Sequence, residues 1–103
     1  MKAHCLALLS GILLSSAVHA SSDQAWADHD KQLLRTCIAA SQLKDVRALG
    51  KSAEFDDRMA YSALLLEGRF PQKHMNNRKG TELCLYDRRQ KRAVVTEWTP
   101  GKS

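Results

Sequence analysis

Cys37 and Cys84 are the residues whose chemistry the sequence defines best. The chain holds three cysteines, and the third, Cys5, lies in an N-terminal segment that we expect to be removed. A redox pair typically has two residues between its cysteines and a thiolate stabilised at a helix N-terminus. Here 46 residues separate the two, and neither is predicted at a helix N-terminus. We therefore predict a structural disulfide, as is usual for proteins in an oxidising compartment.

Histidine and methionine side chains offer a second chemistry, because both are ligands that suit copper. The candidate ligands are His29, His74, Met75 and Met59. On a helix, however, the two aspartates that flank His29 would point away from it, and no ligand type lies three or four residues along the chain. Periplasmic copper binding is the alternative function. The simpler interpretation is one histidine on a helix surface and another in a turn, with no metal bound.

Asp56 and Asp57 form a carboxylate pair of the kind used in acid–base catalysis. Neighbouring carboxylates in a turn usually face water, and we interpret this pair as a turn. The sequence contains no Ser-His-Asp order, nucleophile elbow or glycine-rich phosphate loop. If both cysteines are bonded, no thiol nucleophile remains. We therefore expect neither an enzyme nor a cofactor.

The densest charge cluster of the chain consists of Arg88, Arg89, Lys91 and Arg92. Because a guanidinium pairs with two oxygens at once, this cluster suits phosphates of lipopolysaccharide, carboxylates of peptidoglycan or an acidic groove of a protein. Alternatively, it is a solvated turn whose charges prevent edge-to-edge aggregation of strands. We predict these four residues as contacts to an anion or a partner.

The first 20 residues read as a cleavable secretory signal peptide. Lys2 is followed by an apolar run from Cys5 to Val18 and by the small residue Ala20, after which we place the cleavage site. The apolar run is too short for a membrane-spanning anchor. A short signal peptide with one lysine is typical of bacteria. The sequence therefore predicts a periplasmic or secreted protein without a transmembrane anchor after cleavage.

Cleavage would leave residues 21–103, which are enough for a single small domain. It would lower the formal net charge from +5 to +4, a balance too modest for a nucleic-acid binder but sufficient for weak attraction to anionic surfaces. A domain of this size buries little apolar surface, so a covalent staple is expected to stabilise it.

A helix is predicted over residues 22–42, capped by Ser21 or Ser22 with Gln24 at the capping-box spacing. Cys37 lies on its apolar stripe and is therefore expected to face the core. The members of the stripe are Trp26, Leu33, Leu34, Cys37, Ile38 and Ala40.

The rest of the chain reads mainly as strands. Residues 43–51 suit a short strand or an irregular link, and 53–55 another strand. Residues 59–67 favour a strand, 70–80 a loop, and 82–87 with 93–98 a hairpin whose tip is the charge cluster. From residue 99 the chain is expected to fray. Leu83 and Leu85 would share one face of the hairpin, with Cys84 and Tyr86 on the other.

These elements predict an α+β fold in which one N-terminal helix packs on an antiparallel sheet of three or four strands. A bridge from Cys37 to Cys84 would pin the helix across one face of that sheet.

Three segments, LCLYDRRQKR at 83–92, CIAAS at 37–41 and FDDRMAYSALLLEGRFP at 55–71, resemble small exported proteobacterial proteins of unknown function. The resemblance covers most of residues 21–103 and carries over no catalytic or binding residue. We expect a non-enzymatic periplasmic or secreted interaction protein that binds an envelope component or another protein, as an inhibitor or accessory factor.

Overall fold

The computed structural model describes the backbone of residues 14–99 and the side chains from residue 22 onwards. Within this range one helix, α1 (Leu14–Ala40), precedes four strands: β1 (Lys44–Glu54), β2 (Tyr61–Arg69), β3 (Lys79–Asp87) and β4 (Arg92–Glu97). A 3₁₀ turn, Lys73–Met75, lies between β2 and β3. Residues 1–13 of the expected signal peptide and residues 100–103 of the expected tail lie outside the described residues.

The chain divides into two compact units, Met1–Asp30 and Lys31–Ser103. In the first unit, the described residues form the N-terminal part of α1. The Trp26 ring contacts the His29 ring edge-on, with 5.8 Å between centroids, and Trp26 is 61% exposed. The prediction that Trp26 belongs to a core-facing stripe is therefore wrong, and Ile38 is exposed as well.

The second unit is an antiparallel sheet with the strand order β1-β2-β3-β4, covered on one side by the last turns of α1. Strands β2 and β3 pair without interruption from Tyr61↔Asp87 to Arg69↔Lys79. Strand β1 is irregular at two places, where Asp45 and Gly50 adopt positive φ angles of 54° and 72°. These bulges bend β1 without ending it.

The core lies between α1 and the sheet. Leu33 and Cys37 of the helix pack against Leu64, Leu66, Cys84 and Tyr86. Cys37 and Cys84 form a disulfide with a Cα–Cα distance of 5.9 Å, and both are fully buried. The predicted fold class, the disulfide and the assignment of Cys84 and Tyr86 to the helix-covered face are confirmed.

Several predicted boundaries differ from the observed ones. The helix extends upstream of the predicted cap at Ser21 or Ser22, because no glycine or proline interrupts it there, and it ends at Ala40 rather than residue 42. The two short strands expected over 43–55 are a single bulged strand. Strand β3 begins at Lys79, inside the predicted loop 70–80.

A buried carboxylate holds the connection between α1 and β1. Glu82 is almost fully buried on the helix-covered face, where its Oε1 accepts the Ser41 hydroxyl (2.5 Å) and its Oε2 accepts the Gln42 N–H (3.1 Å). Because a buried carboxylate needs hydrogen-bond donors, these two bonds fix the path of the chain from α1 into β1.

None of the helical residues that the structure describes forms a stretch long and apolar enough to span a membrane.

Candidate functional site

The sheet has a second side, which we call the open face. Side chains alternate along each strand, so every strand offers half of its residues to α1 and half to the other side. On β2, Ser62, Leu64 and Leu66 are buried towards α1, while Tyr61, Leu65 and the residues in step with them point away. No helix covers the open face among the described residues 31–99.

An apolar strip crosses the centre of the open face. In one row, Leu49, Leu65 and Leu83 are direct cross-strand neighbours. In the next row, Ala53, Ala63, Leu85 and Val94 are paired across all four strands. Leu85 is 38% exposed and Val94 is 66% exposed. Leu85 of the central strand β3 and Val94 of the edge strand β4 thus form a continuous apolar surface that is exposed to solvent.

Three cations lie at one end of the open face, one row of residues beyond the strip, and we call them the cation row. Lys44, Arg69 and Lys79 are register partners across β1, β2 and β3. Like charges that face each other across strands destabilise a sheet. The nearest acid along β2, Glu67, is paired with Arg47 at 2.6 Å. The described ion pairs thus leave the cation row without a carboxylate partner.

A cleft of about 380 Å³ opens at the same end of the sheet. Polar and charged side chains make most of its wall, including Arg69 and Lys79 of the cation row; the complete lining is Asp45, Arg47, Glu67, Gly68, Arg69, Asn77 and Lys79. The Arg69 guanidinium donates to the Asn77 carbonyl (3.2 Å), which holds it at the mouth of the cleft.

Trp98 extends the open face beyond β4. The backbone N–H of Trp98 donates to the Thr81 carbonyl (2.9 Å), so Trp98 continues the pairing of β4 with β3. By strand alternation it lies on the same side as Val94 and Thr96. Its side chain is 42% exposed. The indole therefore stands between the apolar strip and the cation row.

The opposite end of the open face carries a second shallow cleft of about 460 Å³. It lies where the strip meets the β3–β4 hairpin, and its lining is Tyr61, Leu85, Asp87, Gln90, Arg92, Ala93 and Val94. The Asp87 carboxylate accepts the N–H groups of Arg89 and Gln90 and so shapes the turn. Arg92 is the cation that lines this cleft.

The predicted contact cluster at the hairpin tip divides into two pairs. Arg88 is mostly buried: its guanidinium donates to the carbonyls of Tyr61 and Phe55 and forms an ion pair with Asp57 at 3.0 Å. Arg89 donates to the carbonyls of Asp57 and Arg58. These two arginines tie the β3–β4 turn to the β1–β2 turn. The other pair, Lys91 and Arg92, is exposed.

Asp56 and Asp57 occupy the β1–β2 turn, as predicted from the sequence. The Arg58 guanidinium and then its backbone N–H bind the Asp56 carboxylate and lower the pKa of Asp56. The Asp56 carbonyl accepts the N–H groups of Met59 and Ala60, and Ala60 has a φ of 58°. This geometry gives Asp56 a role in closing the turn.

The candidate copper ligands lie on separate parts of the chain. Met59 belongs to the β1–β2 turn, whereas His74 and Met75 belong to the β2–β3 connection. The nine residues of β2 separate these two ends by roughly 30 Å. His29 belongs to the first unit. Among the described residues, no group of three or more His, Cys, Asp or Glu could hold a metal ion.

The cation row, the apolar strip and Trp98 were not identified as a site from the sequence. Their signal is the apolar run of β2 (ALLL at 63–66), which has leucines in both phases of the strand alternation. A strand that is covered on both sides has this pattern. Since a single helix covers a single side, the second apolar phase indicates a surface that needs another partner.

A scan of the chain against protein-family models gives no match, and searches of the curated proteins and of the solved structures give none either.

Proposed function

We propose that this chain is an exported, non-enzymatic binding protein of the bacterial envelope whose open face takes the partner. The single observation that carries the proposal is the apolar strip, which crosses all four strands on the side of the sheet opposite the last turns of α1. Apolar side chains in this arrangement cost free energy in water and gain it when a partner covers them.

The size of the strip supports this role. Four strands spaced at about 4.8 Å, and two rows that occupy four residue positions at about 3.3 Å each, make an area of roughly 250 Å². The largest apolar patch of a monomeric protein usually measures about 300–600 Å² and often has a function, so the strip is close to the size of such a patch. A partner can reach the strip, because Leu85 and Val94 are exposed to solvent among the described residues.

The compartment is supported by two features. The Cys37–Cys84 disulfide suits a periplasmic or secreted protein, since intracellular thiols are kept reduced. The first 20 residues have the composition of a signal peptide. We propose export followed by cleavage after Ala20.

For the hairpin tip, we propose that Lys91 and Arg92 contact anionic groups of the partner at one end of the open face. Arg88 and Arg89 are occupied by carbonyls of the neighbouring turn, so their part is to hold the tip in position. Arg92 lines the cleft beside Leu85 and Val94, which places a cation next to the strip.

Site-specific photo-crosslinking in cells tests the open face as the binding surface. A photoreactive amino acid at Leu85 is compared with the same amino acid at Ile38, an apolar residue of α1 with nearly the same exposure, 39% against 38%. We expect an adduct, protein or lipid, at Leu85 and little at Ile38. Equal labelling at both positions, or none at Leu85, would contradict the proposal. Mass spectrometry of the exported protein with and without reductant checks cleavage and the disulfide.

A further inference from the structure

We infer that the partner of the open face is the surface of an anionic lipid bilayer, on which the sheet lies flat. The inference rests on the proposed function and names the partner of the same surface. It follows from three features that occur together on one side of the sheet: the apolar strip, the cation row and Trp98.

The charges at one end of the open face favour an anionic partner. Lys44, Arg69 and Lys79 form the cation row, and Arg47 is paired with Glu67. Asp45 lines the cleft as the second acid, so four cations stand against two carboxylates. Cations near an anionic membrane surface each contribute to binding, and lysine and arginine reach phosphates with long flexible chains.

The open face combines the three residue types that favour the surface of an anionic membrane. Leu85 and Val94 are the large exposed residues of the strip, Trp98 follows at the edge, and Lys79 lies beyond it. Tryptophan concentrates at the headgroup level of bilayers, between hydrocarbon and water. A sheet that lies flat on the membrane would thus bring the strip, the indole and the cation row to the headgroup level together, where apolar side chains leave water and cations reach lipid phosphates. At the opposite end Arg92 is the register partner of Asp87, so the excess of cations lies at the end of the cation row.

The area of the open face argues against a second copy of this chain as the occupant. The whole face measures roughly 570 Å², from four strands at about 4.8 Å and nine residues at about 3.3 Å. A standard protein–protein interface buries about 800 Å² on each partner. In a face-to-face dimer with the strands of both copies running the same way, the two cation rows would also repel each other. A bilayer needs no matching area and supplies the opposite charge.

Vesicle binding by the exported protein, purified with its disulfide intact, tests the inference. The probes are vesicles of phosphatidylglycerol mixed with phosphatidylcholine, and vesicles of phosphatidylcholine alone, at low and high salt. The charge variant is R69Q/K79Q, and its matched control K31Q/R35Q removes one lysine and one arginine from exposed positions of α1. The apolar variant is L85D, with I38D as the control of equal exposure.

We expect binding to the anionic vesicles only, weakened by salt. At about fivefold for each cation, R69Q/K79Q should bind about 25-fold more weakly, and L85D at least about tenfold more weakly. Both controls should bind within about twofold of the parent protein. If R69Q/K79Q unfolds, as judged by circular dichroism, K44Q/K79Q replaces it, because both lysines are exposed.

Tryptophan emission reports which surface meets the lipid, because the chain has two tryptophans. In the W26F variant only Trp98 emits, and its spectrum should shift to shorter wavelength and be quenched by brominated lipid. In the W98F variant only Trp26 emits, and its spectrum should change little on binding.

Two outcomes would overturn the inference: no binding to anionic vesicles, or equal losses in R69Q/K79Q and K31Q/R35Q. Either outcome can occur while the crosslinker at Leu85 labels a protein and the crosslinker at Ile38 does not. In that case the lipid bilayer is not the partner, and the proposed function stands. If the crosslinker shows no preference for Leu85, the proposed function fails independently of the vesicle result.

Discussion

Replacement of Lys79 by glutamate should raise the stability of this protein and weaken its binding to anionic vesicles. Lys79 and Arg69 are register partners on the open face, where like charges oppose each other. A cross-strand pair of opposite charges stabilises a sheet by about 0.2–1 kcal/mol, and a pair of like charges destabilises it by a similar amount. Both partners lie at the surface, so we expect a gain of about 1 kcal/mol from the exchange.

The assay compares thermal unfolding with vesicle binding in the same samples. For a domain of this size, a gain of about 1 kcal/mol raises the Tm by about 4–8 °C. The same substitution changes the charge next to the membrane by two units, so binding to anionic vesicles should fall by about 25-fold. The Tm increase should shrink in high salt, because the pair is exposed.

Lys31→Glu is the matched control, because Lys31 is exposed on α1 four residues before Arg35. It changes the net charge equally and creates a favourable helical pair worth about 0.3 kcal/mol. It should retain vesicle binding within about twofold. The reasoning is refuted if K79E lowers the Tm, which would mean that the cation row helps the fold, or if K79E and K31E weaken binding equally.

Four other perturbations test the fold that carries this surface. Removing the disulfide, by reduction, should lower the free energy of unfolding by about 4 kcal/mol in urea titrations, since it closes most of the sheet into one loop. Glu82→Ala should lower the free energy of unfolding by about 3 kcal/mol. Glu82→Gln should lower it by about 1 kcal/mol, because the amide keeps one acceptor for the two donors. Equal losses in the two variants would contradict the role of Glu82. Gly68→Ala should cost about 1–3 kcal/mol, because a Cβ would lie 2.7 Å from the Lys44 carbonyl oxygen, and an unchanged Tm would show that β1 moves freely. The lowered pKa of Asp56 means that its small contribution to stability is present at neutral pH and lost as the pH falls through that pKa; an NMR titration should show its midpoint rising in R58A.

The sequence predicted the fold class because its strongest signals are local. The apolar run around residues 61–66 and the hairpin flanking the charged tip specify strands, and the uninterrupted segment before Cys37 specifies a helix. The cysteines added the tertiary information, since a bridge from a helix to a strand leaves few arrangements. The presence of the helix and strands, and the face of β3 that the helix covers, were therefore predictable from the sequence.

The exact first and last residues of the helix and strands were not predictable from the sequence, because they depend on tertiary contacts. Lys79 and Gly80 look like turn residues, yet they extend β3 by pairing with Arg69 and Gly68. A Cβ on Gly80 would lie 2.8 Å from the Phe70 ring, so the glycine is required by packing within the strand. The bulges of β1 likewise follow from its pairing with β2 and have no clear local signal.

The hairpin tip illustrates a different limit. Four cations within five residues indicate a binding cluster in the sequence. In the structure, Arg88 lies against two carbonyls of the neighbouring turn, which belong to residues 27 and 33 positions earlier in the chain. A guanidinium with five donors fills such a position better than a lysine, which has three. Sequence spacing shows where charges are concentrated but does not show which of them the fold itself uses.

The position of the disulfide explains why the open face stays open. Cys84 is near the middle of β3, paired with Leu64 and Val95, so the bridge to Cys37 holds α1 on one side of the sheet. Its neighbours Leu83 and Leu85 must then point to the other side, because alternation along a strand permits nothing else. A slip of one residue would exchange the two faces and break the bridge. The covalent bond that stabilises the small core therefore also commits the leucines of β3 to the surface, where a flat anionic partner can reach them.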